Sequence, residues 1–276
     1  MGIPPFQGLP FAARLPSRMH TGREKLHGMW GCVMFDKIKN LFGKSAEHES
    51  RDTDNGELHP AEGDAYAMSK EAMAAAEKLA KARKLIFAPR PEQRGYTLDG
   101  QIQGKPYKIE RGSPSREYVQ GVELRARCDL SVSPNAVLMV VNRHLKKSLD
   151  ENTYSAFTDT METMVNSNLP EEVLWMTMYG EVGWHDLGER FISDYCILAE
   201  DKHHARALVD AKLVKALTSW PAHSLTRPVI FMLMRGRLYM RMQFDDDSFM
   251  LEHALDSFEL FCSNILANKD LLAQES

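Results

Sequence analysis

The clearest alternation of hydrophobic and polar positions lies in residues 184–276 and predicts a β-α-β-β-α unit. Its elements are a strand at 191–198, a helix at 200–220, a hairpin at 229–244 and a final helix after the acidic segment 245–248. The final helix has a single apolar stripe, which is typical of a helix that faces a core. The stripe consists of Leu251, Ala254, Leu255, Phe258, Phe261, Cys262 and Ile265.

Residues 86–183 predict a β-rich domain that also contains helices. Alternating runs separated by turn residues indicate an antiparallel meander with one face in water. These runs are 96–102, 104–111 and 117–130. The continuous apolar run 137–141 indicates a central strand that is buried on both faces. Helical patterns follow at 142–149 and 154–165, and another helix begins at Asn168.

The chain before residue 86 has a different character. Residues 65–85 are rich in Ala, Lys, Glu and Met and predict a helix. Residues 45–64 are polar and acidic, which indicates a linker. Residues 34–44 predict a short amphipathic helix, because their apolar side chains share one helical face and lysines border it. That face consists of Phe35, Ile38, Leu41 and Phe42.

Residues 1–33 contain scattered Pro, Gly and basic residues without a period, so we expect this segment to be disordered. The change of character at Met34 suggests the hypothesis that translation starts there and that 1–33 is not translated. The alternatives are a flexible tail or a transit peptide. The complete pattern predicts an α+β protein, with an antiparallel β-meander, a C-terminal β-α-β-β-α unit and a disordered N-terminal segment.

Composition narrows the class of protein. The net charge of −4 argues against a dedicated nucleic-acid binder, which usually has a basic excess. The four cysteines are far apart, and Cys128, Cys196 and Cys262 lie in apolar patterns, so we expect reduced core residues in a cytosolic protein. No apolar run approaches the ~20 residues that a membrane-spanning helix requires.

The most informative candidate for chemistry is a set of charged residues on neighbouring predicted strands and their turn. Arg125 and Arg127 are two residues apart on one strand, so they share a face at a separation of about 7 Å. Arginine binds carboxylates and phosphates with two parallel hydrogen bonds. The predicted ligand-binding set is Arg111, Arg116, Glu123, Arg125 and Arg127. The alternative is a solvated sheet face with cross-strand ion pairs.

No nucleotide-binding, metalloprotease or serine-hydrolase motif is present, and we predict no cofactor and no metal site. The acidic triplet 245–247 is better explained as a helix cap than as a cation site. The sequence favours a non-catalytic binding or adaptor module of the bacterial cytosol with a protein partner. A weak contact with the inner membrane would use the apolar face of 34–44. The alternative is an enzyme or sensor that holds a small anion on the arginine-rich face.

Overall fold

The computed structural model describes residues 68–159, 171–221 and 225–273. These residues form one antiparallel sheet of eight strands with helices packed on it, so the α+β prediction is confirmed. The predicted N-terminal segments 1–33, 34–44 and 45–64 lie outside the described residues.

The strands are β1 (Ile86–Arg90), β2 (Gly95–Ile102), β3 (Lys105–Gly112), β4 (Val122–Asp129), β5 (Leu138–Asn142), β6 (Tyr195–Ala199), β7 (Val229–Met234) and β8 (Arg237–Phe244). The helices are α1 (Lys70–Arg83), α2 (Arg143–Asp159), α3 (Glu171–Met178), α4 (Glu189–Asp194), α5 (Lys202–Leu208), α6 (Ala211–Thr218), α7 (Ser248–Ala267) and α8 (Lys269–Leu272). Short 3₁₀ turns occupy Pro91–Gln93 and His185–Leu187.

The order of strands across the sheet is β1-β2-β3-β4-β8-β7-β5-β6. The meander β1–β4 therefore continues directly into the C-terminal hairpin, because β4 pairs with β8 along its full length. Strand β5 lies between β7 and β6, although it precedes both in sequence. Strands from 86–183 and from 184–276 thus share one sheet, and their apolar side chains form a common core.

The burial pattern of each strand reports how many of its faces are covered. Every residue of β5, β6 and β7 is buried, because helices cover both faces of this part of the sheet. Strand β8 alternates between buried and partly exposed residues, and β4 also loses burial on alternate positions toward its end. These two strands have one face in the core and one polar face.

The larger core lies between one face of the sheet and the helices α1, α5, α6 and α7. Trp220, Phe231 and Phe261 are fully buried there, with ring centroids 6.4 Å apart for Trp220–Phe231 and 5.9 Å apart for Phe231–Phe261. The buried indole Nε1 of Trp220 donates a hydrogen bond of 3.0 Å to the hydroxyl of Ser257 on α7. This bond satisfies the polar atoms that the aromatic packing removes from water.

The strand predicted at 191–198 is wrong over its first half. Residues 189–194 are the helix α4, and the strand begins only at Tyr195. The buried rings of Phe191 and Tyr195 stack at 5.5 Å, so the spacing of four residues reflects one helical turn and not alternation in a strand.

The single helix predicted at 200–220 is two helices, α5 and α6. The break occurs at Asp210, whose carboxylate accepts a hydrogen bond of 2.8 Å from the backbone N–H of Leu213 and so caps α6. The same carboxylate accepts a hydrogen bond of 2.9 Å from the side chain of Asn264 on α7. The cap therefore also fixes the position of α6 against the longest helix of the C-terminal unit.

Each residue of the acidic triplet 245–247 before α7 makes a different contact. Asp247 caps the helix by accepting a hydrogen bond of 2.8 Å from the backbone N–H of Phe249, as the sequence predicts. Asp246, at φ 62°, pairs with Arg111, and Asp245 pairs with Arg227. The triplet is thus a junction that connects α7 to the sheet.

We predict that Gly95→Ala destabilises the protein by about 1–3 kcal/mol, the usual cost of overpacking. A Cβ atom at Gly95 would lie 1.8 Å from the carbonyl oxygen of Arg111, and a backbone atom of the neighbouring strand cannot rotate away. Urea denaturation measures the change in the free energy of unfolding. The control is Gly180→Ala, because a Cβ atom at Gly180 meets nothing within 4 Å. Equal effects of both variants would contradict this account of the β2–β3 pairing.

Candidate functional site

The sheet face opposite α7 has an apolar half and a polar half. On the apolar half, α2 and α3 cover a second hydrophobic cluster. Its buried members are Met139, Val141, Leu145, Leu149, Val173, Met176, Cys196, Leu198, Ile230, Met232 and Met234. On the polar half, alternate residues of β2, β3, β4 and β8 point to the same side. The register makes Glu110, Arg125 and Arg241 direct neighbours across β3, β4 and β8.

The centre of the polar half is the carboxylate of Glu123, which is 0% exposed. It accepts hydrogen bonds of 2.7 Å and 2.8 Å from the backbone N–H and the hydroxyl of Ser115. It also accepts one of 2.8 Å from Nη1 of Arg241. A buried carboxylate requires such partners, because its transfer out of water costs several kcal/mol. Strand β4 supplies Glu123, β8 supplies Arg241 and the loop between β3 and β4 supplies Ser115.

A second buried carboxylate, Glu172, enters this group from α3. Arg116 Nε donates to both of its oxygens at 2.9 Å and 3.0 Å, and Arg241 Nε lies 3.2 Å from Oε1. Arg241 therefore bridges Glu123 and Glu172. We name the group formed by Ser115, Arg116, Glu123, Glu172 and Arg241 the charge cluster.

Two donors beside the charge cluster have no acceptor among the described residues. They are the buried Nε of Arg125 and the buried hydroxyl of Tyr118. Arg125 does form an ion pair through its outer nitrogen, at 3.9 Å from Glu110. A buried donor without an acceptor costs about 1–3 kcal/mol, so these two atoms favour contact with a further acceptor.

Burial and charge move the pKa of two groups in this region. Burial raises the pKa of Tyr118 well above its ordinary value, and the nearby Glu172 raises it further. Burial alone would lower the pKa of Arg241, but Glu123 and Glu172 more than reverse that effect and raise it. Both groups therefore keep their protons throughout the physiological pH range.

The structure brings three of the five predicted site residues together. Arg116 and Glu123 belong to the charge cluster, and Arg125 lies beside it on the same face. Arg127 is on this face, as predicted from the two-residue spacing, but it is exposed and lies opposite Lys108 and Tyr239. It does not take part in the charge cluster.

Arg111 does not share the predicted face, which corrects that part of the sequence interpretation. It pairs with Leu124 across β3 and β4, so it points into the core side of the sheet. Its side chain is buried, where it donates a hydrogen bond of 2.8 Å to Asp246 and another to the carbonyl oxygen of Arg94. The physical reason is the alternation of side chains along a strand. Lys108 and Glu110 point to the polar face, so Arg111, the next residue, points to the other face.

Sequence reasoning missed Arg241, Glu172, Tyr118 and Ser115. Arg241 lies in a hairpin whose methionines dominate the hydrophobic pattern. Glu172 lies in the first turn of a helix, where acidic residues are common, so its position alone indicates no special role. Their partners are far away in sequence, since Arg116 and Glu172 are 56 residues apart and Glu123 and Arg241 are 118 residues apart. The only available signal was the polar position of Arg241 within an alternating strand.

Two features of the described residues bear on cofactors and membranes. Within residues 68–159, 171–221 and 225–273, no group of three His, Cys, Asp or Glu side chains has an arrangement that could hold a metal ion. In the same part of the chain, no helix is both long enough and apolar enough to cross a bilayer.

We predict that Glu123→Gln lowers the free energy of unfolding by about 2–4 kcal/mol, because it leaves the charge of Arg241 without one of its two buried partners. Urea denaturation provides the measurement. The matched control is Asp129→Asn, on the same strand and face. Asp129 pairs with Arg237 at 3.1 Å, but the two side chains are 54% and 56% exposed, so its loss should cost less than about 0.5 kcal/mol. Similar small effects of both changes would show that the charge cluster is not a stabilising element.

Comparison with known proteins yields little similarity. No protein family and no curated protein matches the chain. A solved structure, the mycobacterial trehalose monomycolate transport factor A (TtfA), aligns with a TM-score of 0.40 at 12% sequence identity. The alignment covers 71% of this chain and 96% of that chain. Similarity at this level supports no statement about fold or function.

Proposed function

We propose that this protein is a non-catalytic binding or adaptor module, and that its partner is a protein that docks beside the charge cluster. The observation that carries the proposal is the pair of donors without acceptors, Arg125 Nε and the hydroxyl of Tyr118. A bound protein whose docking moves the side chains over these buried atoms would bring acceptors, acidic side chains or carbonyl groups, to both donors. The arginines of the charge cluster are already paired with Glu123 and Glu172, so the two donors outside these pairs are the ones open to a partner.

The electrostatics favour binding over acid–base catalysis. A general acid or base works best when its pKa lies near the operating pH. The two groups with shifted pKa values at this site, Tyr118 and Arg241, move upward and away from neutrality. Both are therefore suited to donate hydrogen bonds to a fixed partner.

The proposal also covers the location of the protein in the cell. We place the protein in the bacterial cytosol, and the buried free thiols of Cys128, Cys196 and Cys262 support a reducing compartment. A weak contact with the inner membrane through Phe35, Ile38, Leu41 and Phe42 would lie outside the described residues.

A second candidate function is a sensor or enzyme that holds a small anion at the same place. The observation that favours it is the guanidinium of Arg125, which is partly exposed and keeps a free Nε although it contacts Glu110 at 3.9 Å. A phosphate or carboxylate would bind the exposed part of this side chain more strongly than Glu110 does at 3.9 Å.

We predict that the tagged 276-residue protein captures a stoichiometric protein partner from lysate of its source organism, and that Arg125→Ala with Arg127→Ala reduces capture at least tenfold. The reason is that both arginines lie on the polar half and are partly or fully exposed to a partner. The measurement is quantitative mass spectrometry of the captured proteins and of the metabolites released on denaturation.

The matched control removes two positive charges from the other side of the molecule. Lys212→Ala with Lys215→Ala changes two exposed residues of α6, which packs in the larger core layer. Undiminished capture by the Arg125/Arg127 variant, or no stoichiometric partner for the wild type, would contradict the proposal. A bound metabolite lost only in the Arg125/Arg127 variant would favour the sensor or enzyme.

A further inference from the structure

The helix α3 packs on a part of the sheet and its loops that is charged on one side and apolar on the other, and we call this part the groove. One side of this groove is charged, because Arg116 and Arg241 surround the carboxylate of Glu172. The other side is apolar, because Val173 and Met176 of α3 pack into the second hydrophobic cluster. An acidic residue followed by apolar residues at helical spacing is what such a groove selects.

The floor of the groove is unusually rich in methionine. Met139, Met232 and Met234 come from strands β5 and β7, and all three are buried in the cluster that contains Val173 and Met176. Methionine has three rotatable bonds and a polarizable sulfur, so it adapts to different apolar side chains. Surfaces that bind several different helices use this property.

α3 is a short helix whose position depends on these contacts. Its eight residues are too few for a stable isolated helix in water. A further ion pair joins Glu171 to Arg235 at 2.6 Å, but both side chains are substantially exposed, so this pair contributes little. Trp175 and Tyr179 stack on each other at 5.4 Å at the margin of the groove.

Departure of α3 would leave no isolated buried charge. Arg241 would keep its hydrogen bond to Glu123, and Arg116 is partly exposed and can be hydrated. Glu172 would move into water together with its helix. The charges therefore do not forbid departure of α3, because each one has either a second partner or access to solvent.

We infer that α3 is an internal competitor for a docking groove, and that the natural occupant is an acidic amphipathic helix of the protein partner. This inference rests on the proposed function. Charge complementarity identifies the occupant. The groove holds one carboxylate between Arg116 and Arg241, and departure of α3 would open the donors of Tyr118 and Arg125 to a second carboxylate that α3 does not supply. A partner helix with two suitably spaced acids would therefore displace α3.

A fluorescent peptide with the sequence of residues 171–180 tests the inference by anisotropy. We expect it to bind the 276-residue Glu172→Gln/Val173→Ala variant at least tenfold more tightly than the wild type, because tethered α3 competes in the wild type. Adding Arg116→Gln to that receptor should weaken binding at least tenfold. Equal affinity for wild type and variant, or indifference to Arg116→Gln, would overturn the inference.

A second variant and a second readout separate opening of the groove from unfolding. Glu172→Gln alone preserves the shape of the side chain and should give an intermediate affinity. Hydrogen exchange should accelerate in 171–178 while β7 stays protected. If exchange accelerates in both segments of both variants, α3 is an integral part of the fold and the inference fails.

The same variant distinguishes this inference from the proposed function. Glu172→Gln should raise capture of the partner from lysate several-fold over the wild type. Unchanged capture would overturn the internal competitor and leave the binding module standing. Formation of a dimer by Glu172→Gln in analytical ultracentrifugation would assign the groove to a second copy of the chain, and would equally overturn the partner-helix assignment.

Discussion

The pairing of β4 with β8 is the contact on which the rest of the structure depends. It joins Val122–Asp129 to Arg237–Phe244 and so connects the N-terminal meander with the C-terminal hairpin in one sheet. Its alternation places Leu124, Ala126, Met240 and Met242 in the larger core and leaves charged residues on the opposite face. A shift of one residue would reverse every one of these positions, so the hydrophobic pattern specifies the register strongly.

The same pairing creates the charge cluster. Glu123 and Arg241 lie on adjacent strands, two residues from direct opposition and on the same face, and the loop before β4 supplies Ser115 and Arg116. Glu172 is the only member of the cluster that comes from a helix, and it links that helix to the sheet by charge. The cluster thus ties α3 to the sheet through a buried carboxylate.

The two faces of the sheet differ in how they are covered and in their polarity. The face under α7 is closed by aromatic and aliphatic packing, with Trp220, Phe231 and Phe261 at its centre. The opposite face is apolar under α2 and α3 and polar over the meander. The boundary between these halves therefore combines apolar side chains with hydrogen-bonding groups.

Short-range patterns in the sequence determined the class of fold and most of its elements. Alternation predicted β2, β3, β4 and the β7–β8 hairpin, and an apolar stripe predicted α7, because these signals depend only on neighbouring residues. Local reasoning failed at residues 191–194, where two aromatic residues at helical spacing also fit a strand.

Only the tertiary structure decided which charged residues meet. Parity along β3 placed Arg111 on the core side, and the pairing of β4 with β8 brought Arg241 to Glu123. The packing of α3 delivered Glu172 to Arg116 across 56 residues of sequence. Contacts of this kind arise from sheet order and helix packing, and no local periodicity encodes them.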